Sequence, residues 1–62
     1  MDKPKVQLSG TDGNVFALLG KCTKALRRAG MEPQAKELST KVFSSGSYDE
    51  ALQLMMTYVD VS

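Results

Sequence analysis

The sequence contains no histidine and a single cysteine, Cys22, among its 62 residues. A lone cysteine excludes a disulfide framework within the chain, and without histidine the usual thiolate and imidazole metal sites cannot be assembled from one copy. No apolar run approaches the roughly 20 residues of a membrane-spanning helix, and no apolar stretch near the start resembles a signal peptide. We therefore expect a cytoplasmic protein with no cofactor, no metal and no membrane contact.

Catalytic groups are equally scarce. The only close pair of carboxylates, Asp49 and Glu50, is adjacent in sequence, so on a helix the two side chains diverge by about 100° and suit the electrostatics of a helix start. Cys22 has no histidine to activate it and lies in an apolar arc, as a buried small hydrophobe does. A calcium loop starting at Asp12 fails, because alanine and threonine occupy the positions of the required glycine and glutamate. We expect neither enzymatic activity nor a small-molecule substrate.

The composition is that of a globular domain. Hydrophobic residues make up 42% and charged residues 24% of the chain, which differs from both a disordered tail and a membrane span. A chain of this length forms one domain, predicted over 1–62 with residues 1–5 loose, and it has room for one small core. The net charge of +1 argues against a surface built entirely to hold nucleic acid, although a local basic patch remains compatible with it.

The longest stretch with one helical period is 14–29, NVFALLGKCTKALRRA. At about 100° per residue its apolar side chains fall in one arc, and its cations lie on the opposite side. The segment 11–14 upstream predicts a turn, and its Asp12 and Asn14 are candidate N-caps. Gly30 can adopt the left-handed conformation that ends many helices. The sequence therefore predicts an amphipathic first helix.

A second and shorter helix is predicted over 33–44. Pro33 suits the first helical turn, where its missing amide proton has no cost. Apolar residues then recur at i, i+3 and i+7, and Glu37 stands four residues before Lys41, which is the favourable order for a surface ion pair.

The third helix is predicted over 48–58 and opens with a capping box. Ser47 and Glu50 have the required spacing, in which each side chain accepts a hydrogen bond from the other residue's backbone amide. Residues 5–9 and 58–61 alternate polar and apolar side chains, so each predicts a short strand, and the two are candidates to pair.

Together these elements predict a mainly all-α fold, a small three-helix domain with room for a short β-strand at each terminus. The predicted core consists of the apolar residues on the inner arcs of the helices: Val15, Leu18, Leu19, Cys22, Leu26, Leu38, Val42, Leu52, Met55 and Val59.

Two groups of residues carry a resemblance to a known family. The front group is Gly10, the Asp-Gly-Asn stretch 12–14 and Phe16, and the rear group is Ser-Gly-Ser-Tyr-Asp over 45–49 with Tyr-Val-Asp-Val over 58–61. In these motifs the chain resembles a family of very small proteins of bacteria, phages and mobile elements that carries no established activity. The resemblance implies a compact helical module and no mechanism.

The first candidate surface is apolar. The third helix has no charge between Ala51 and Val59, and a chain this short has little core with which to cover every side of so apolar a helix. The apolar residues of this helix could form an exposed interface or simply belong to the core, and the sequence leaves both alternatives open. The candidate interface residues are Leu54, Met55, Met56 and Tyr58, with Phe16 and Phe43 beside them. The corresponding hypothesis is a non-catalytic protein-interaction module, self-associating as a homodimer or binding another protein.

The second candidate surface is the basic face of the first helix. Its cations could lie along phosphates, or they could form a solvated face that keeps a small protein soluble. The basic helix comes first and the later helices carry little or mixed charge, which is not the arrangement of a helix-turn-helix. The alternative hypothesis is therefore weak nucleic-acid binding without sequence specificity. Its candidate residues are Lys21, Lys24, Arg27 and Arg28.

Overall fold

The computed structural model describes residues 3–7 and 13–61. Three helices carry the fold, and a two-residue strand flanks them at each end of the chain. The mainly helical prediction with terminal strands is confirmed. The elements in chain order are β1 (Lys5–Val6), α1 (Val15–Arg28), α2 (Glu32–Phe43), α3 (Tyr48–Tyr58) and β2 (Asp60–Val61).

Both ends of α1 are closed by their own local sequence. The side chain of Asn14 accepts a hydrogen bond from the amide of Phe16 at 2.8 Å, as predicted for an N-cap. At the other end Gly30 has a φ of 76°, and the amide of Met31 donates to the carbonyl of Leu26 at 2.8 Å. This left-handed glycine with a six-to-one hydrogen bond reverses the chain into α2. The other proposed cap, Asp12, lies outside the described residues.

The start of α3 differs in one detail from the predicted capping box. The hydroxyl oxygen of Ser47 accepts from the amide of Glu50 at 3.2 Å, as expected. The carboxylate of Glu50 accepts from the amide of Gly46 at 2.8 Å instead of from Ser47. The extended backbone of Ser47 follows a bend at Gly46, which presents its own amide to the carboxylate. The backbone amide of Gly46, which precedes the helix and has no partner in the helical hydrogen-bond pattern, is satisfied in this way.

The chain termini meet in a small parallel sheet. Lys5 is paired with Asp60 and Val6 with Val61, and the amide of Asp60 donates to the carbonyl of Pro4 at 2.8 Å. The sequence left the pairing of the two terminal segments open, and the structure pairs them in parallel at these residues. Positions 8 and 9 lie outside the described residues. Positions 4 and 5 belong to the segment expected to be loose, and both take part in this backbone pairing.

One core fills the space between the helices and β1. Helix α1 packs against both α2 and α3, and α2 packs against α3. Eight of the ten predicted core residues are buried, while Val15 and Leu52 lie partly buried at the edge of the core. The prediction omitted Val6, Ala35 and Ala51, which are also buried. No helix in the described part of the chain is long and apolar enough to cross a bilayer.

Candidate interaction surfaces

Three aromatic side chains gather at one end of the helical bundle, which we call the aromatic end: Phe16, Phe43 and Tyr48. They are 60%, 67% and 46% exposed, respectively. The rings of Phe16 and Phe43 are in contact, with centroids 5.7 Å apart and planes inclined by 36°. Such a tilted pair is a favourable aromatic arrangement, so the two rings hold one another in place while remaining open to solvent.

The helix connections explain why these residues meet. Phe16 lies in the first turn of α1, Phe43 ends α2 and Tyr48 begins α3, and these three helix ends lie together. The three aromatics line a shallow cleft of about 330 Å³ whose other walls are apolar or small polar residues. No charged residue belongs to its lining. The lining of the aromatic end is therefore uncharged, and the carboxylate of Glu50 is hydrogen bonded to the amide of one lining residue, Gly46.

The residues proposed on α3 do not form one surface. Met55 is fully buried, so it belongs to the core and leaves the candidate interface. Leu54 and Tyr58 are partly buried on one flank of α3, while Met56 is 49% exposed. Leu54 and Met56 are two positions apart in the sequence, and two helical steps of about 100° place them on opposite sides of the helix. Of the exposed apolar candidates, Phe16 and Phe43 are the ones that lie together.

The flank that carries Tyr58 is occupied by a polar cluster with α2. The hydroxyl of Tyr58 donates a hydrogen bond to the carboxylate of Glu37, and the ammonium of Lys41 lies 3.3 Å from the same carboxylate and 5.4 Å from the centroid of the Tyr58 ring. The hydrogen bond from Tyr58, followed by the contact with Lys41, lowers the pKa of Glu37 below its ordinary value. This cluster ties α2 to α3 and accounts for Tyr58 without a partner protein.

The lowered pKa of Glu37 predicts a pH dependence of stability. The unfolded chain takes up the proton near pH 4.5, the ordinary value for glutamate, whereas the folded chain takes it up at lower pH. Stability from this carboxylate is therefore complete above that value and is lost as pH falls through the folded pKa. We expect the urea midpoint of the wild type to exceed that of Glu37→Gln at neutral pH, with the difference closing at acidic pH. A difference that stays constant down to pH 3 would contradict the role of the charge.

The basic residues separate into two groups. Lys21, Lys24 and Arg28 line a cleft between α1 and the segment 5–7, and Lys5 joins them from β1. The ammonium of Lys21 donates to the backbone carbonyl of Gln7 at 3.1 Å, which links the two walls.

Arg27 points to a different neighbour. Its Nε lies 3.1 Å from the carboxylate of Glu32 at the start of α2. Exposed pairs of this kind contribute about 0–1 kcal/mol, yet the pairing offsets the charge of Arg27. The structure thus brings three of the four predicted cations together and directs the fourth elsewhere.

The lone cysteine and the possible metal ligands were the remaining reactive groups of the chain. Cys22 is buried, and burial raises the pKa of its thiol, so the reactive thiolate is disfavoured. The described residues also hold no group of three metal-ligating side chains that could bind an ion.

Sequence reasoning missed Tyr48 and left Lys5 out of the basic face of the first helix, for different reasons. Tyr48 lies on the same helical face as Ala51 and Met55, a spacing that predicts burial, but its place in the first turn of α3 leaves it beyond the packed helices. Lys5 joins the basic residues only through the pairing of β1 with β2. A signal did exist for Phe16 and Phe43, because each follows directly after a core-facing valine and so lies about 100° off the apolar arc.

Comparison with models of protein families, with curated proteins and with solved structures found no significant match to this chain. The resemblance to small bacterial and phage proteins stays a prediction, and the function has to be argued from the two surfaces.

Proposed function

We propose that this chain is a small, non-catalytic protein-interaction module whose contact surface is the aromatic end. The observation that carries the proposal is that Phe16 and Phe43, each at least 60% exposed, touch one another beside Tyr48 at one end of the fold. Aromatic residues are enriched at the centres of protein interfaces, where their burial from water supplies much of the binding energy. Contiguous apolar patches on a protein surface often mark interaction sites.

The partner that we propose is a second copy of the chain. A two-fold dimer places the same patch from both copies face to face, and the patch has no charged residue in its lining. Two copies can therefore meet without burying like charges against each other, a juxtaposition that costs several kcal/mol. The hydroxyl of Tyr48 and the serines of the α2–α3 turn supply polar atoms at the rim.

We further propose that the protein is cytoplasmic and has no catalytic activity, as expected from the sequence. Its proposed origin in bacteria, phages or mobile elements is what the family resemblance implies. In this account the biological role is carried out by the assembled dimer, whose remaining surfaces are presented in pairs.

A map of amide chemical shifts on dilution tests where the copies meet. We expect the amide signals that move between millimolar and micromolar chain concentrations to cluster at the aromatic end, around Phe16, 42–48 and Ala51. The reason is that dissociation returns these residues from a dry contact to water. Signals of the α3 flank near Met56 should stay in place.

A matched pair of variants makes this test specific. Phe43→Ser removes an exposed ring from the aromatic end, and Met56→Ser removes an exposed apolar side chain elsewhere. The dilution shifts should vanish in the first variant and persist in the second. Shifts that cluster around Met56, or that are missing in the wild type, would overturn the proposal.

A further inference from the structure

A second surface carries an inference that is independent of the aromatic end. A cleft of about 430 Å³ lies between α1 and the segment 5–7, and we call it the cationic cleft. Four of its lining residues are cations, and no acidic residue of the described part of the chain lines it. The four cations are Lys5, Lys21, Lys24 and Arg28.

The cleft is a local concentration of charge on a nearly neutral molecule. The net charge of the chain is only +1, so the positive field comes from where the charges lie. Arg27 is paired with Glu32, and Lys41 is paired with Glu37. In contrast, Lys5, Lys24 and Arg28 form no ion pair with a described carboxylate. Arg27 and Lys41 are neutralised in ion pairs, whereas the cations of the cleft are gathered in one place. Such a local concentration of positive charge attracts anions.

The cleft is held in shape by two kinds of contact. The parallel pairing of Lys5 with Asp60 fixes one wall, and the hydrogen bond from Lys21 to the carbonyl of Gln7 spans to the other. Lys24 and Arg28 stand four residues apart on α1, so they lie one helical turn apart, about 6 Å along the axis, on the same face. The cations thus form a row beside the groove.

We infer that the cationic cleft binds the phosphodiester backbone of a nucleic acid. Three of its four cations are lysines, and lysine is depleted from protein–protein interfaces but is a principal source of phosphate contacts. The cleft offers no aromatic or methionine side chain as an anchor, which an acidic peptide partner commonly uses. A chain of evenly spaced phosphates needs only the row of cations.

The same lining sets the kind of recognition. Without an aromatic residue in the cleft, bases have no platform on which to stack. Contacts to phosphates position a protein on nucleic acid without reading its sequence. Binding through this cleft is therefore weak, independent of sequence and steeply dependent on salt.

The experiment measures fluorescence anisotropy of two labelled probes, a 20-base-pair DNA duplex and a 20-nucleotide thymidine strand, with the whole chain. For about four phosphate contacts the logarithm of the affinity should fall against the logarithm of salt concentration with a slope of about −3.6 for duplex and about −2.8 for single strand. Comparing the affinity and the salt slope of the two probes shows whether duplex or single-stranded nucleic acid fits the cleft. A slope near zero for both probes would overturn the inference.

A charge-matched pair of variants locates the site. Lys24→Glu places an acid in the cleft, and Lys36→Glu changes the net charge equally on the exposed face of α2. We expect Lys24→Glu to weaken binding about tenfold at low salt and to reduce the slope by about one, while Lys36→Glu leaves the slope unchanged. Equal losses in both variants would show that net charge acts without a site, and polyglutamate binding as tightly as DNA would assign the cleft to acidic protein instead.

The two surfaces can fail separately, because the aromatic end contributes no residue to the cationic cleft. A chain that stays monomeric but binds DNA in a way that depends on Lys24 would overturn the proposed self-association and keep this inference. A chain that dimerises but binds neither probe would overturn this inference and keep the proposed self-association. Circular dichroism of each variant confirms that a lost signal reflects the surface and not the fold.

Discussion

Replacing Met55 with alanine is expected to lower the free energy of unfolding by about 2–5 kcal/mol, because the change removes a fully buried side chain and leaves a cavity in the core. A chain of 62 residues has a total stability of only about 3–9 kcal/mol. This one substitution therefore removes a large part of the stability, and urea denaturation followed by circular dichroism at 222 nm measures it.

The neighbouring methionine supplies the control. Met56 is 49% exposed on the same helix, and its replacement by alanine keeps helix propensity while removing no core contact. We expect a change of about 0.5 kcal/mol or less. Equal effects from the two substitutions would mean that α3 does not face the core through Met55.

Replacing Phe43 with serine is expected to weaken self-association by a factor of about 30 to several hundred. Burial of a phenylalanine stabilises by about 1.5–3 kcal/mol, and the 67% of Phe43 that is exposed in the single chain is the part that a partner can still cover. That leaves about 1–2 kcal/mol per copy, and a two-fold contact loses it twice, for a total of about 2–4 kcal/mol.

Anisotropy of a chain labelled at its N-terminus, titrated with unlabelled chain, measures this dissociation constant. The fold of Phe43→Ser should survive, because the ring lies mostly outside the core, and the urea midpoint of the variant checks this. A variant that associates as tightly as the wild type would remove Phe43 from the contact.

The helices could be predicted because their signals are local. Asn14, Gly30 and Ser47 act on backbone groups within a few residues of themselves, so sequence alone identifies them as caps. The alternation near each terminus predicted strands as well, and only the partner of each strand depended on the tertiary fold.

The surfaces were harder to predict, because each is assembled from several elements. The aromatic end requires the ends of all three helices to meet, a relation that helical periodicity does not encode. Arg27 belongs to the predicted basic face by its position on α1, yet the turn at Gly30 brings Glu32 to within 3.1 Å of it. The sequence placed Met55 both in the predicted core and among the interface candidates, and only the packing of α3 shows that it is buried.

The central claim is that the aromatic end joins two copies of this chain, and the mass of the wild-type protein by sedimentation equilibrium tests it most directly. The account predicts a mass that rises with concentration to twice the 6.7 kDa of the single chain. It also predicts that the dimer persists at high salt, because its contact buries apolar rings and no ion pairs. A mass of one chain at every concentration, or a dimer that salt dissociates, would contradict the claim.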